Sequence, residues 1–239
     1  MSAEYRFTKD NLDMCLKALA KEYRRLIGKR LPAELTLIGG ASVLVNYGFR
    51  DVTYDIDAII EAASAMRDAV TNVGDNLDLP IGWINSDFEN TSSYTPRLLE
   101  HSIYYKTFSN VLTVRTISGE YLVAMKLMAG RRYKNDISDI VGILAEHKRV
   151  GKPLSFEQID KAVKELYDGW EKLPSESGEL LHNIMANDDP EGLYEIYRNE
   201  EINSKSMLLD FEGSYPGVTN KDNVNEIIAA LKKKTEAQR

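Results

Sequence analysis

The chain has 239 residues, a formal net charge of −7 at pH 7, 43% hydrophobic residues and one cysteine. The negative balance argues against a general nucleic-acid binder, and a lone cysteine excludes an internal disulfide, which fits a reducing compartment. No apolar stretch approaches the roughly 20 residues that a transmembrane helix needs, and the polar N-terminus is unlike a secretory signal. We therefore expect a cytoplasmic protein with no membrane contact.

The first third of the sequence predicts a helix, a strand and a second helix. Apolar residues at helical spacing predict the first helix over residues 9–27. A short apolar run rich in β-formers, residues 35–38, predicts a buried strand. Residues 41–47 predict the next helix, which ends at Gly48.

Two glycines, Gly39 and Gly40, fall between that strand and the second helix. Backbone N–H groups at a helix N-terminus have no partner within the helix, and the helix dipole favours negative charge. Glycine also lets a ligand come close to the main chain. The junction therefore predicts a phosphate-binding loop, to which Ser42 could add a hydroxyl.

A pair of aspartates, Asp55 and Asp57, lies in the following strand-like run, predicted over residues 52–60. Alternate residues of a strand share one face and lie about 6–7 Å apart. Two carboxylates at this spacing can converge on one Mg²⁺, which leaves coordination positions open for substrate phosphates. The pattern predicts a Mg²⁺ site beside the glycines, where a nucleoside triphosphate would bind.

The remaining elements of the first 150 residues alternate between helices and strands. We predict helices over 62–73, 120–130 and 136–149, an apolar segment at 81–85, and a strand pair at 103–108 and 111–117. Lys126 lies in the second of these helices, where a lysine that only snorkels to the surface is an alternative. Asp136 and Asp139 open the third helix, where acids also favour the helix dipole without any catalytic role.

Residues 150–153 form the predicted boundary between a core, residues 1–150, and a helical C-terminal region, residues 151–239. A capping box at Ser155 and Gln158 predicts a helix through residue 170. Further helices are predicted as follows: 177–186, 191–198 and 223 to the C-terminus. Residues 203–220 are predicted to be a loop.

The sequence resembles the nucleotidyltransferases of the DNA polymerase β superfamily, and in particular their bacterial AbiEii-like toxin branch. The resemblance covers about half of the chain, in blocks that occur in the family's order. These are residues 37–42, 49–50 with 53–57, 82–85, and 120–132 with Asp136 and Asp139.

The resemblance implies a nucleotidyltransferase-like α/β (α+β) fold, with a small mixed sheet flanked by helices and a helical C-terminal region. It implies that an enzyme moves a nucleoside monophosphate from an NTP, such as ATP, to an acceptor. By position, roles are implied for the following residues: Gly39, Gly40 and Ser42 hold phosphates, Asp55 and Asp57 bind Mg²⁺, Lys126 contacts phosphate, Asp136 orients the acceptor or acts as base, and Arg131 or Arg132 lies beside Asp136.

One departure from the superfamily pattern concerns a third carboxylate, which many members place on a later strand. The equivalent segment here, residues 111–116, contains no acid. The toxin-like branch often uses two aspartates with a later lysine and aspartate, so the resemblance still implies activity. It also implies an antitoxin partner if the chain is a toxin.

The acceptor is not specified by the sequence, and tRNA, protein and small molecules stay open. Residues 121–150 contain six Lys or Arg against three acids. Such a segment could follow an RNA backbone, but a basic run is more often a solvated helix face.

Two other classes of protein compete with the enzyme. A Rossmann dinucleotide-binding protein also has a strand, glycines and a helix, but the residues from Gly39 onwards lack the G-x-G-x-x-G spacing. The stronger alternative is a catalytically silent nucleotidyltransferase fold that serves as a nucleotide-binding or interaction module, for which the missing third carboxylate is the supporting feature.

Overall fold

A mixed five-stranded sheet forms the centre of the fold. The computed structural model describes residues 5–28, 30–220 and 223–236. The strands are β1 (Ala33–Leu37), β2 (Ile56–Glu61), β3 (Ile84–Asn85), β4 (Ser102–Phe108) and β5 (Leu112–Ile117). Their spatial order is β3-β2-β1-β5-β4.

Helices pack against the sheet and make up most of the rest of the described chain. They are α1 (Lys9–Ile27), α2 (Gly39–Asn46), α3 (Ala65–Leu77), α4 (Gly119–Ala129), α5 (Asp136–Arg149), α6 (Phe156–Tyr167), α7 (Ser177–Met185), α8 (Pro190–Ser214) and α9 (Val224–Glu236). The predicted α/β fold, a small mixed sheet flanked by helices, is confirmed.

Strand direction places the glycines next to the second aspartate. β1 and β2 are antiparallel, with Leu37 opposite Ala58, so the end of β1 lies beside the start of β2. The backbone N–H of Ile38 donates to the carbonyl of Asp57 at 2.9 Å. The chain then turns through Gly39 into α2, which fixes the glycines next to Asp57.

Two hydrophobic clusters hold the sheet between helical layers. One joins α1 and α3 to the sheet and includes the fully buried Leu12, Leu16 and Tyr23 of α1. The other surrounds α4, whose residues 121–127 are all buried. Such an all-round apolar helix must be covered on every side, and α5 and α6 do so.

The start of β2 was predicted wrongly. The strand was predicted from residue 52, but it begins at Ile56, and Asp55 lies in the bend just before it. Thr53 instead forms an isolated bridge with Phe7. The first part of the apolar run therefore pairs with the N-terminal segment and not with the sheet.

The loop predicted over residues 203–220 was also wrong over residues 203–214, because α8 continues without interruption to Ser214. The polar residues of α8 include Glu201 and Ser204, which are 3% and 0% exposed, respectively. Leu208 is buried against Val224 and Ile228. Tertiary contacts therefore stabilise a helix whose sequence lacks a continuous apolar stripe.

Helices on the two sides of the predicted boundary at 150–153 pack together. α6 contacts α4, and α8 contacts α5, and one buried cluster contains residues from both segments. The division into two domains itself stays a prediction. The last residues of the predicted C-terminal helix, 237–239, lie outside the described chain. Within the described ranges, no helix combines the length and the apolar character needed to cross a bilayer.

Candidate functional site

The carboxylate of Asp57 lies directly against the turn at Gly39. A Cβ atom built on Gly39 would be 3.6 Å from Asp57 Oδ2. Gly39 has φ +53, a left-handed conformation that glycine adopts without strain. Ile38, the N-cap residue of α2, makes no side-chain cap hydrogen bond, so the start of this helix lies without such a cap beside the carboxylate of Asp57.

Gly40 has a packing role in addition to its place at the N-terminus of α2. A Cβ atom there would lie 2.7 Å from Thr53 Oγ1 and 2.8 Å from Arg50 Nη2. The absent side chain of Gly40 thus leaves the space that the Arg50 guanidinium occupies.

Asp55 and Lys134 lie close enough to Asp57 for their charges to act on its pKa. Burial and, after it, the charge of Asp55 raise the pKa of Asp57 to about 6, against the opposing effect of Lys134. Partial burial and the charge of Arg131 lower the pKa of Lys134, whereas both aspartates act to raise it. Only Asp57 belongs to the strand, whereas Asp55 lies in the bend before it; the shared Mg²⁺ site of the two aspartates stays a prediction.

Ser42 is turned away from this region. It is 0% exposed, and its hydroxyl oxygen accepts a hydrogen bond from the backbone N–H of Ile117 at 3.1 Å. The hydroxyl therefore joins α2 to the end of β5 inside the core, where a phosphate could not reach it without rearrangement.

Lys126 and Asp136 meet in a buried ion-pair network. The Lys126 ammonium is 2.9 Å from Asp136 Oδ1 and 2.8 Å from Asp139 Oδ2. The network extends on both sides, because Arg131 Nε lies 2.8 Å from Asp136 and Arg50 Nη1 lies 2.6 Å from Asp139. The network's three cations and two carboxylates leave it with one net positive charge.

The ion pairs keep Lys126 and Asp136 in their charged forms. Burial opposes the charge of Asp136, but Lys126 and Arg131 outweigh it and keep the pKa of Asp136 far below its usual range. Burial likewise works against the Lys126 ammonium, yet Asp136 and Asp139 raise its pKa overall. A carboxylate with so low a pKa and 0% exposure is a poor proton acceptor.

The two arginines of the predicted site, Arg131 and Arg132, lie in different places. Arg131 stays close to it, since its charge acts on the pKa of Asp57. Arg132 instead points to the C-terminal region, where its Nη2 is 2.8 Å from Glu176. Arg132 is therefore outside the group of residues around Asp57.

Lys134 and Arg50 were missed as site residues by the sequence analysis. Lys134 is exposed, and its ammonium forms neither a hydrogen bond nor an ion pair with any residue in the described ranges. The available signal was its position two residues before Asp136. The signal for Arg50 was its place in a block of the family resemblance, but its pairing with Asp139 spans 89 residues of sequence.

The donor set fits Mg²⁺. Asp55 and Asp57 offer carboxylate oxygens, the ligands that this ion prefers. A bound cation would also relieve the repulsion and desolvation that raise the pKa of Asp57. Across the described part of the chain, no group of three or more His, Cys, Asp or Glu side chains comes together as a metal site, so the pair has no third carboxylate beside it.

A protein-family model matches residues 14–174, and its description is "Nucleotidyltransferase of unknown function (DUF6036)". The matched region contains both aspartates, the glycine turn and the buried ion-pair network. No curated protein and no solved structure matches the chain.

Proposed function

Because the chain belongs to the DUF6036 family of nucleotidyltransferases, we propose that it transfers a nucleoside monophosphate from an NTP to an acceptor in a Mg²⁺-dependent reaction. The observation that carries this proposal is the 3.6 Å approach of Asp57 Oδ2 to the Cβ position of Gly39. The carboxylate that we assign to the metal lies beside a helix N-terminus, where backbone N–H groups are suited to phosphate.

Asp55 and Asp57 would hold the ion, which when bound neutralises charge on the triphosphate and on the departing pyrophosphate. The N–H groups at the start of α2 bind phosphate oxygens. Lys134 is the cation best placed for the outer phosphates, because it is exposed, close to both aspartates and without an ion-pair partner among the described residues. These groups orient the α-phosphate towards the acceptor.

In the proposed reaction, an acceptor oxygen forms a new bond to the α-phosphorus. The bond from that phosphorus to the oxygen bridging to the β-phosphate breaks, and pyrophosphate leaves with the electron pair. The proton of an acceptor hydroxyl passes to water. We assign Lys126 and Asp136 a supporting role behind the site, since both are buried and paired with each other.

The test compares Asp57→Asn with Glu61→Gln, an exposed acid on the same strand. Each purified protein is incubated with Mg²⁺ and each labelled NTP in turn, together with total RNA or lysate. We expect label in one acceptor fraction with the wild type and with the Glu61 variant. Asp57→Asn should give none while keeping the wild-type circular dichroism spectrum. Label incorporated by Asp57→Asn would contradict the metal assignment.

A second candidate function is a silent nucleotide-binding or interaction module. The observation that favours it is the lack of a third carboxylate near Asp55 and Asp57 within the described chain. Isothermal titration of Mg²⁺-NTP, run beside the transfer assay, separates the two. Binding with no transfer to any fraction would support the module.

We further propose RNA, tRNA in particular, or protein as the acceptor, and a toxin role with an antitoxin partner. Support comes from the resemblance to the AbiEii-like branch in residues 37–57 and 120–139. Induced expression of the wild type should arrest growth, and expression of Asp57→Asn should not. Normal growth with the wild type at equal protein levels would argue for a role other than a toxin.

A further inference from the structure

A carboxylate from the C-terminal region caps a helix of the site. Glu201 of α8 is 3% exposed. Its Oε1 accepts hydrogen bonds from the backbone N–H groups of Ile137 at 2.8 Å and Ser138 at 3.3 Å. The Ser138 hydroxyl donates to its other oxygen at 2.5 Å. Asn135, at the N-cap position of α5, makes no such side-chain bond, so the cap comes from 63 residues away.

The first turn of α5 carries the two acids of the buried network. Asp136 binds Lys126 and Arg131, and Asp139 binds Lys126 and Arg50. Through these contacts the turn determines where Arg131 and Arg50 lie. Arg131 acts on Asp57, and Arg50 fills the space beside Gly40.

Two further residues on the same face of α8 contact the surroundings of the site. Arg198 donates a hydrogen bond to the side chain of Asn135, immediately before α5. Lys205 lies 5.4 Å from the ring centroid of Tyr54, the neighbour of Asp55. Residues 198, 201 and 205 are three and four positions apart and so share one side of the helix. This side of α8 faces the site along more than one helical turn.

We infer that Glu201 is a positioning residue of the proposed nucleotidyl-transfer site, which it serves by holding the first turn of α5 and thereby Arg131 and Arg50. The inference rests on the proposed function. Glu201 lies outside the family-matched residues 14–174, so α8 adds a part to the site that the matched segment does not contain. Loss of a positioning contact can slow a reaction greatly, because small displacements of reacting groups change rates.

Three variants test the inference. Glu201→Ala removes every acceptor. Glu201→Gln keeps an oxygen for the two N–H groups, while its amide can donate to the Ser138 hydroxyl, so it should hold the turn. Glu200→Gln changes the adjacent acid, which is exposed, and is the matched control. Transfer is measured at saturating Mg²⁺-NTP, and the Kd of Mg²⁺-ATP by titration, at a temperature where each protein is folded.

We expect Glu201→Ala to lower the rate of transfer per folded molecule by about tenfold to a hundredfold. Glu201→Gln should restore it to within about threefold of the wild type, since it retains the hydrogen bonds. Hydrogen exchange should show faster exchange at residues 137–139 in the alanine variant. A merely structural cap would lower the unfolding temperature but leave the rate and the Kd per folded molecule unchanged, and that result overturns the inference.

If Glu201→Ala does not fold, Glu201→Asp decides, because it keeps the charge but withdraws the carboxylate from α5 by one methylene. A folded Asp variant with the wild-type rate and Kd overturns the inference, and a reduced rate or affinity supports it. If the wild type binds Mg²⁺-ATP without transfer, the transfer proposal fails while the Kd comparison still tests Glu201. A wild type that neither binds nor transfers overturns both.

Discussion

The two lysines near Asp57 differ in what surrounds their ammonium groups. Lys126 is 5% exposed and contacts two carboxylates, whereas Lys134 is exposed and forms no ion pair with the described residues. Sequence position alone favoured Lys126 as the phosphate ligand. The environment favours Lys134, because a cation already bound to two acids would have to leave them.

These environments predict that substitution of Lys134 affects nucleotide binding, whereas substitution of Lys126 affects stability. Lys134→Ala should weaken Mg²⁺-NTP binding about tenfold, the loss of one charged hydrogen bond, with little effect on stability. Lys126→Met should lower the free energy of unfolding by about 3–5 kcal/mol, because it leaves Asp136 and Asp139 buried without their shared cation. Titration calorimetry and urea unfolding measure the two quantities. A stable Lys126→Met protein that cannot bind NTP would reverse the assignment.

The charge of Asp57 should also appear in the stability of the metal-free protein. The pKa of this carboxyl is raised from 3.8 to about 6 by burial and by Asp55, so its ionised form destabilises the folded state above pH 6. This cost shrinks as the pH falls through 6 and disappears below the unfolded-state pKa.

Asp57→Asn should accordingly be more stable than the wild type at pH 8, by at most about 3 kcal/mol. The gain should vanish near pH 4. Urea unfolding in EDTA at both values measures it, and Glu61→Gln on the same strand serves as the control. A pH-independent gain would mean that the effect comes from side-chain packing and not from the charge.

At the scale of elements, the junction of β1 and α2 depends on close contact between α2 and the segment before β2. The Cβ position of Gly40 is within 2.8 Å of both Thr53 Oγ1 and Arg50 Nη2. A methyl group there must displace the arginine that binds Asp139. At Gly48, just past the other end of the helix, an added Cβ meets no described atom within 4 Å.

Gly40→Ala should therefore reduce the free energy of unfolding by about 1–3 kcal/mol through overpacking. It should also reduce transfer, because Arg50 lies beside the glycine turn that we propose to bind phosphate. Gly48→Ala, the matched control, should stay within about 1 kcal/mol of the wild type. Chemical unfolding with a transfer assay gives both values, and equal stability of the two variants would refute the close contact.

The elements that the sequence predicted correctly are those with strong local signals. The helices α1 and α5 have the predicted bounds, and the Ser155 and Gln158 capping box is present at α6. The errors fall where distant residues decide. Thr53 pairs with Phe7 and delays β2, and Leu208 with Val224 keeps α8 helical beyond its weak apolar pattern.

At the scale of the whole molecule, the proposed ligand should stabilise the folded state by linkage. Binding of Mg²⁺-NTP at a concentration of 100 times its Kd should add about 2.7 kcal/mol to the unfolding free energy. Asp57→Asn should show no such gain, and neither Mg²⁺ nor NTP alone should match the pair. Thermal unfolding over a series of ligand concentrations measures the effect, and a concentration-independent unfolding temperature for the wild type would contradict nucleotide binding.

The C-terminal helices belong to the same packed structure as the matched region. Tyr133, between α4 and α5, packs against the cluster of Leu208, Val224 and Ile228. The segment that bears Arg131 and Lys134 is thus held between the core and the last two helices. Changes in α8 can therefore reach the site through packing alone.

The sequence by itself determined the fold class through the family resemblance. It also determined the glycine turn and the aspartate pair, because these depend on glycine backbone freedom and on residues two apart in the chain. Only the tertiary structure decided which charged groups remain available. Lys126 pairs with Asp139, Arg50 reaches the same carboxylate from 89 residues away, and Glu201 caps α5. Whether an ionisable side chain binds substrate or another side chain depends on burial and on distant partners, and neither is encoded in local spacing.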